Sequence, residues 1–415
     1  MNPSLLNRRE NIFGQGSPLF YSEPLHIVRG SGVSLYDAKG KEYIDMYNNV
    51  PCVGHCHPHV VEAIQNEVAT LNVHNRYLHG SILEYGERLI EKHSASFECV
   101  VFACTGTEAN EIALQMARHA TGGQGFICTD AGYHGNSYEV RRLSRPSSDD
   151  KIFRSIPFPE LYRCPQNDPL SYYLAQLEEA IEGFRKDEIP LAGMLICPIC
   201  ANEGLPNIPK GFMSQAAKVV HAAGGLVIAD EVQSGLCRTG SWWGYEKEKF
   251  LPDIVSMGKP LGAGVPLSAV VSNRSNVELF RRKTRYFNTF ASSPLQAAAG
   301  NAVLDVLESE DLCARSESVG EGMLDQLREL LSDNPSVGEV RGKGLFVAIE
   351  WVKDRTSKEP DRNGALNVVE ALKKESFLIG AAGKFGNVLK LRPPLVFDEE
   401  NAREFLETLK CILHL

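Results

Sequence analysis

Short apolar runs that stop at a polar or glycine residue alternate with amphipathic helical segments through the middle of the chain. The runs "CVVFACTG", "GLVIADEVQSG" and "IVSMGK" are of the first kind, and "TEANEIALQMARHAT" is of the second. Continuous apolar strands joined by helices are typical of a mostly parallel sheet with both faces covered. This alternation therefore predicts an α/β fold built around such a sheet.

The two ends of the chain lack this alternation. The first 30 residues are polar with Pro and Gly interspersed, which predicts an extended arm, and "GVSLYDAKGKEYIDMY" predicts a hairpin around a Lys-Gly turn. The chain ends in a smaller segment that predicts a compact α+β unit. The predicted domains are an N-terminal arm and small-domain hairpin (1–55), a large domain (56–300) and a C-terminal small domain (301–415).

Composition limits the partners and the compartment. The formal net charge is -9 over 415 residues, which disfavours nucleic acid and anionic membrane as the main partner. No apolar run reaches the length of a membrane span, and the first residues do not resemble a signal peptide. The 11 cysteines are scattered without a framework, as expected for reduced thiols. These features predict a cytoplasmic protein that acts on small molecules.

Polar residues at the predicted strand ends form the candidate site, because parallel-sheet proteins bind ligands at the carboxyl ends of strands. Gly106 and Thr107 open a helix whose backbone N–H groups suit an anion, although an ordinary helix cap is the alternative. Asp230 ends an apolar strand, where its carboxylate can bind Mg²⁺, act as a base or pair with a cation. A purely structural residue at the strand end is the alternative. Lys259 lies in a glycine-rich turn, either as a nucleophile or as a solvated lysine.

Taken together, these three groups meet the needs of one cofactor, pyridoxal 5′-phosphate. The phosphate requires an anion site, and the aldehyde carbon requires a lysine with which it forms an imine. The pyridine nitrogen requires a carboxylate that keeps it protonated, so that the ring accepts electrons. The residues predict that Lys259 holds the cofactor and that Asp230 pairs with its ring.

The sequence resembles the class III aminotransferases, the family of ornithine, acetylornithine and 4-aminobutyrate aminotransferases, from about Gly32 to the C-terminus. The resemblance is carried by "CTGTEANEIALQMAR", "YHGNS", "LVIADEVQSGLCRTG" with "DIVSMGKPLGAG", "RYFNTFASSPLQAAAG", "VRGKGLFVAIE" and "LRPPLVF". It implies the type I fold of pyridoxal-phosphate enzymes, with a mainly parallel seven-stranded sheet and a small domain formed from both chain ends. It also implies a homodimer with shared sites.

Matching the family motifs assigns roles to individual residues. Lys259 and Asp230 are expected to be catalytic, and Thr289 is expected to complete the phosphate site of the neighbouring subunit. The expected cofactor-binding residues are Gly106, Thr107, Tyr133, His134, Asp230, Val232, Gln233, Lys259 and Thr289. Within this set, Tyr133 would stack on the ring with His134 beside it, Val232 would pack on the opposite face, and Gln233 would bind the ring hydroxyl.

The substrate pocket departs from the usual family pattern. Lys390 stands where the family often has a carboxylate-binding arginine, and Arg392 stands immediately before Pro393. Glu203 resembles an acidic gate residue that, in ornithine-type relatives, pairs with the pocket arginine. The segments that contain Asn48 and Arg76 resemble a subgroup with phospho-lyases. The predicted substrate-binding residues are Glu203, Arg392, Lys390, Asn48 and Arg76, and a helix-start arginine is the equal alternative for Arg76.

Glu203 decides the predicted reaction. Because an acidic gate is typical of two-substrate transamination, the sequence favours an aminotransferase that moves an amino group between an amine or amino acid and an oxo acid. The alternative is a phospho-lyase that eliminates phosphate and ammonia from a compound such as phosphoethanolamine. A non-catalytic relative is disfavoured because Lys259 is retained. No metal site is predicted, since the "GHCHPH" cluster and the single CxxC pair fit core and turn residues better.

Overall fold

The computed structural model describes residues 3–144, 146–147 and 149–414. It contains three sheets with helices packed around them. The strands in chain order are β1 (Ile27–Ser31), β2 (Ser34–Asp37), β3 (Glu42–Asp45), β4 (Cys99–Ala103), β5 (Gly125–Thr129), β6 (Phe153–Ile156), β7 (Leu191–Ile196), β8 (Leu226–Asp230), β9 (Ile254–Met257), β10 (Ser268–Ser272), β11 (Val337–Lys343), β12 (Phe346–Trp351), β13 (Phe377–Leu378), β14 (Gly380–Ala382) and β15 (Val388–Leu391).

The helices connect the strands and cover the central sheet. A short 3-10 helix, Lys259–Gly262, follows β9. The α-helices in chain order are α1 (Pro3–Phe13), α2 (Pro58–Thr70), α3 (Gly80–Glu91), α4 (Gly106–Thr121), α5 (Val140–Ser144), α6 (Pro169–Lys186), α7 (Phe212–Ala222), α8 (Gly244–Lys247), α9 (Arg274–Thr284), α10 (Pro294–Ser309), α11 (Leu312–Leu330), α12 (Arg362–Lys374) and α13 (Glu399–Leu413).

The central sheet has seven strands in the order β4-β10-β9-β8-β7-β5-β6. Its strands pair in parallel from β9 to β6, while β10 pairs antiparallel with both β9 and β4. Since β4 and β9 both oppose β10, β4 runs in the same direction as the parallel strands. The predicted mainly parallel seven-stranded α/β fold is therefore confirmed, and the ends of β4, β8 and β9 lie on one edge.

Burial explains why the central strands are continuously apolar. All residues of β5, β7, β9 and β10 are buried, and hydrophobic clusters occupy both faces of the sheet. Only strands covered on two faces lose the alternation of apolar and polar residues. Because both faces of the sheet are covered, the polar residues at the strand ends are the ones that ligands can reach.

Two smaller sheets have the orders β1-β2-β3-β13 and β11-β12-β15-β14. Strand β13, from the last part of the chain, pairs in parallel with β3 from the first part, so the two chain ends share a sheet. The hairpin predicted over Gly32–Tyr47 is present as β2 and β3. The domain boundaries themselves stay a prediction.

One local prediction is wrong. The extended arm predicted for residues 1–30 contains helix α1, which spans Pro3–Phe13. The helix leaves large apolar side chains exposed, including Ile12 and Phe13. A short helix with little buried surface gives a weak periodic signal, so the sequence did not distinguish it from an irregular segment.

Candidate active site

A cavity of about 280 Å³ lies at the edge of the central sheet where β4, β8 and β9 end. The structure brings together eight of the nine predicted cofactor-binding residues at this cavity and leaves Thr289 outside it. The residues that line the cavity are Thr105, Gly106, Thr107, Tyr133, His134, Gly135, Cys197, Asn202, Asp230, Val232, Gln233 and Lys259.

Lys259 follows β9 and is the first residue of the 3-10 helix. Its φ of 35° lies in the left-handed region, which is unusual for a residue with a side chain and is common at functional sites. Burial lowers the pKa of Lys259, while the nearby charge of Asp230 partly opposes this effect. A lowered pKa increases the fraction of neutral amine, which is the nucleophilic form.

Asp230 ends β8 and is almost fully buried. Its Oδ2 atom lies 2.7 Å from Nδ1 of His134 and accepts a hydrogen bond from Nδ2 of Asn110 at 3.0 Å. The backbone N–H of Val232 donates to Oδ1 at 3.0 Å. Burial alone would raise the pKa of Asp230, but the contact with His134 reverses this and the net pKa is lowered. Asp230 therefore remains ionised, as a partner of a protonated pyridine must be.

The N-terminus of α4 forms an anion-binding corner. Thr105 caps the helix and forms a capping box with Glu108, and the first helical residues, Gly106 and Thr107, line the cavity. A Cβ atom at Gly106 would lie 3.0 Å from Cγ2 of Val232, and one at Gly135 would lie 2.5 Å from Oγ1 of Thr107. Glycine at both positions therefore keeps this corner open for a bulky anion such as phosphate.

These groups fit pyridoxal phosphate in chemistry and placement. The amine of Lys259, the ionised carboxylate of Asp230 and the open corner at Gly106 all face one cavity. Tyr133 also lines the cavity and is 47% exposed, while Val232 is buried on the wall beside Gly106. The ring-stacking roles expected for Tyr133 and Val232 are consistent with these positions and stay predictions.

Two buried cations lie behind Gln233. Its Oε1 atom accepts hydrogen bonds from Nη1 of Arg392 at 2.6 Å and from Nζ of Lys390 at 3.4 Å. The other acceptors are backbone carbonyls, those of Ala201 for Lys390 and Tyr47 for Arg392. In the part of the chain that the structure describes, no carboxylate is a hydrogen-bond partner of either cation. Burial lowers the pKa of both, that of Lys390 well below its usual value.

The structure places Asn202, and not Glu203, at the cavity. Asn202 lines the wall, accepts a hydrogen bond from Nε2 of Gln233 at 2.9 Å and donates to the carbonyl of Tyr133 at 3.0 Å. Glu203 is buried and accepts a hydrogen bond from Thr129. The ion pair expected between Glu203 and the pocket arginine is absent from the described residues, so the sequence basis for an acidic gate is lost.

Three other predicted residues lie outside the cavity lining. Asn48 donates to Oδ2 of Asp45 at 3.0 Å and lines a separate cavity of about 170 Å³. Arg76 is exposed, with its guanidinium 4.1 Å from the ring centre of Phe287. Thr289 is exposed, as a residue that acts in a neighbouring subunit would be in one chain. The functional roles of all three stay predictions.

Asn110 and Asn202 are site residues that were not identified from the sequence. Asn110 lies on the buried face of α4, where its side chain joins Asp230, the carbonyl of His134 and the hydroxyl of Ser256. An asparagine on the apolar face of a predicted helix was an available signal, because a buried amide needs several partners. For Asn202 no signal distinguished it from its neighbour.

The histidines of the "GHCHPH" segment contact three different carboxylates. His55 lies 2.7 Å from Asp45, and His59 lies 2.8 Å from Asp305. His57 lies 3.2 Å from Glu310. These contacts give each histidine its own polar partner.

The fold and the site define a pyridoxal-phosphate enzyme of fold type I. The family model "Aminotransferase class-III" matches residues 20–413, and the chain belongs to this family. Family membership confirms both the predicted family and pyridoxal phosphate as the cofactor.

Individual relatives carry the names of two activities. A solved phospholyase from Arthrobacter, in complex with phosphoethanolamine, is 39% identical with a TM-score of 0.95 and covers 99% of each chain. "Alanine–glyoxylate aminotransferase 2-like" of Drosophila melanogaster is 36% identical over 96% of this chain and 84% of its own length. "Ethanolamine-phosphate phospho-lyase homolog 1" of Caenorhabditis elegans is 33% identical over 99% and 93%.

Among the residues that the structure describes, no helix has both the length and the apolar character needed to cross a membrane. The predicted cytoplasmic location stays a prediction.

Proposed function

We propose that this enzyme eliminates phosphate and ammonia from a small phosphorylated amine of the phosphoethanolamine type. This reverses the preference drawn from the sequence, which favoured transamination because Glu203 resembled an acidic gate. The observation that carries the proposal is the pair of buried basic side chains behind Gln233, which have no carboxylate hydrogen-bond partner among the described residues.

A buried cation without a counter-ion is costly, and a bound anion removes that cost. Lys390 and Arg392 both donate to the neutral carbonyl of Gln233. The charges of Glu203 and Asp45 favour the protonated forms of Lys390 and Arg392, respectively, but among the described residues neither carboxylate forms an ion pair with them, so the positive charge is only partly balanced. A phosphate monoester carries up to two negative charges and suits two cations better than a single carboxylate does. An anion at this wall would also favour the protonated form of Lys390, whose pKa burial lowers.

The neutral side chain of Asn202 supports the same conclusion. A carboxylate at this wall would neutralise Arg392 whenever the cavity holds no anionic substrate. Asn202 instead joins Gln233 and Tyr133 by hydrogen bonds and adds no charge. The wall therefore keeps its positive potential for every substrate, which suits a reaction with one anionic substrate.

Each site residue has its own role in such an elimination. When bound, pyridoxal phosphate supplies an electron-accepting ring that makes the proton on the amine-bearing carbon removable. Lys259 takes up that proton, and Asp230 retains the proton on the pyridine nitrogen. The cations stabilise the departing phosphate, which leaves with the electron pair of the C–O bond. Substrate and one water thus give an aldehyde, ammonia and inorganic phosphate.

Two relatives support this assignment by their names, and one of them is a phospholyase bound to phosphoethanolamine. Transamination is the second candidate function, because another relative is named as an aminotransferase and both reactions use the same lysine and carboxylate. The amino group would then move to an oxo acid, and no phosphate would be released.

Turnover without an oxo acid separates the two reactions. Purified holoenzyme is incubated with phosphoethanolamine alone, and inorganic phosphate, ammonia and aldehyde are measured. Release of many equivalents of each per subunit is expected. No phosphate release, together with transfer of the amino group from alanine to glyoxylate over many turnovers, would overturn the proposal. The Lys259→Ala variant is the control for cofactor-independent hydrolysis.

The homodimer with Thr289 at the neighbouring site is also proposed. Thr289 lies in an exposed segment with Phe287 and Phe290, whose side chains are 39% and 75% exposed. Exposed aromatic side chains beside a site residue are typical of a protein–protein interface. The mass in solution, measured by light scattering, tests this; a monomer with full activity would contradict it.

A further inference from the structure

A second polar cluster lies on the far side of His134 from the cofactor cavity. Nδ1 of His134 contacts Asp230, but Nε2 is buried and has no hydrogen-bond partner in the described part of the chain. Glu203 is also buried, and its Oε1 accepts a hydrogen bond from Thr129, while none of the described residues binds its Oε2. Thr129 ends β5 and Glu203 follows the neighbouring strand β7, so adjacent strand ends bring these groups together.

Gly132 shows how closely these polar atoms converge. A Cβ atom at this residue would lie 2.8 Å from Nε2 of His134, 3.0 Å from Oγ1 of Thr129 and 3.4 Å from Oε1 of Glu203. The first and last of these distances limit the separation between Nε2 of His134 and Oε1 of Glu203 to about 6 Å, a gap that one bridging water can span. A side chain at residue 132 would displace this arrangement, so glycine is needed here for space.

Two unpartnered polar atoms in one buried location are unfavourable, because each has lost its hydrogen bonds to water without a replacement. Buried waters are usually found where several such groups face one another. We propose that Glu203 is a positioning residue that, through a bridging water, fixes the orientation and the proton position of His134, so that Nδ1–H is directed at Asp230. Asp230, His134 and Glu203 then form a hydrogen-bonded series, and Asp230, at one end of it, pairs with the pyridine nitrogen. This inference concerns the cofactor site and holds for either reaction.

The role follows from the polarity of the two imidazole nitrogens. His134 supports an ionised Asp230 only when Nδ1 carries a proton, and the contact made by Nε2 sets which nitrogen is protonated. Without Glu203 the ring is free to rotate or to change its tautomer inside the cavity wall. The ionisable groups that interact with Glu203 include Lys390 and the thiols of Cys197 and Cys200. Burial raises the pKa of both thiols, so they contribute no charge at neutral pH.

The test uses the imidazole of His134 directly. Protein labelled with ¹⁵N-histidine is prepared with and without cofactor, and the Nδ1–H signal of His134 is assigned by its loss in His134→Asn. In the wild type this proton is expected to exchange slowly with solvent, because it is buried and bound to a carboxylate. In Glu203→Gln the signal is expected to shift and to exchange at least 10-fold faster. The dissociation constant of pyridoxal phosphate is expected to rise about 10-fold.

Two variants keep the outcome interpretable. Thr129→Val removes the hydroxyl that holds Glu203 and is expected to give a smaller change of the same kind, which also covers poor folding of the first variant. Glu231→Gln removes another buried carboxylate, one that binds Ser234 and the backbone of Gly244 and Tyr245, and is expected to leave the His134 signal unchanged. An unaltered His134 signal and unaltered cofactor affinity in Glu203→Gln would overturn the inference. Equal changes in Glu231→Gln would overturn it as well, because they would indicate a general effect on stability.

Discussion

Replacing Arg392 with methionine tests whether the buried cations recognise a phosphorylated substrate. Methionine keeps much of the length and the apolar contacts of the side chain but removes its charge. The side chain of Arg392 is buried, its Nη1 donates to Gln233, and its guanidinium lies 4.3 Å from the ring centre of Tyr47. The substitution therefore changes the potential at the Gln233 wall without opening the cavity to solvent.

The size of the effect follows from the position of the charge. An anion bound against Gln233 would lie about 6 Å from the guanidinium, since one amide separates them. At that distance and an effective dielectric constant of about 20, two unit charges attract by about 3 kcal/mol. This corresponds to roughly a 100-fold loss in kcat/KM for an anionic substrate. A substrate without a negative charge loses none of this attraction.

The assay compares kcat/KM for phosphoethanolamine with the rate at which a primary amine that has no anionic group alters the cofactor absorbance. The first is expected to fall roughly 100-fold in Arg392→Met and the second to change less than threefold. Arg403→Met is the matched control, because its side chain is 61% exposed on α13. Equal losses for phosphoethanolamine and for the amine without an anionic group would refute the electrostatic reasoning, since they would indicate a distorted cavity.

Three further predictions concern the cofactor and the fold. Lys259→Ala should abolish the visible absorbance of the lysine-bound cofactor together with turnover, and retention of either would remove Lys259 from its assigned role. Gly106→Ala should weaken cofactor binding about 10-fold in a titration, because the new Cβ meets Val232 at 3.0 Å, whereas Gly322→Ala has open space and should not. Burial raises the pKa of Glu231 from 4.5 to about 7, so the folded protein holds a proton that the unfolded chain releases. That stabilisation is complete below pH 4.5 and is lost as the pH rises through 7. The free energy of unfolding of the wild type, measured against Glu231→Gln by denaturant titration, should therefore fall by about 3 kcal/mol over this range. A difference in unfolding free energy between wild type and Glu231→Gln that stays constant over this pH range would contradict the prediction.

The residues of the cofactor cavity could be predicted from the sequence because the sheet brings residues that are far apart in the chain close together in space. Residues that end parallel strands meet at one edge whatever the lengths of the helices between them. Gly106, Asp230 and Lys259 could therefore be grouped from their positions after apolar runs, and the structure places all three at one cavity. No knowledge of side-chain direction was needed for this step.

Predicting which residues form the wall of the cavity around Gln233 requires the directions of the side chains. The sequence does not encode these directions in irregular segments. Asn202 and Glu203 are adjacent, and only the path of the chain after β7 decides which of them faces the cavity. The prediction assigned the role to the acidic residue because of its chemistry, and the structure assigns that position to the amide. Asn48 and Arg76 also lie outside the cavity lining, with their side chains at Asp45 and Phe287, and their substrate-binding roles stay predictions.

The choice between elimination and transamination therefore depends on residues that do not touch the reacting carbon. Lys259 and Asp230 serve both reactions equally, so their presence does not distinguish elimination from transamination. The discriminating feature is whether the positive charge of Arg392, and that of Lys390 when it is protonated, stays available to substrate or is neutralised between two half-reactions by a carboxylate of the protein. With Asn202 at the cavity and Glu203 hydrogen-bonded to Thr129, no protein carboxylate of the described residues takes that place. Asn202→Glu should then reduce kcat/KM for phosphoethanolamine by placing a negative charge beside Gln233, while Asn202→Gln should not. Similar losses in both variants would show that the wall recognises shape and not charge.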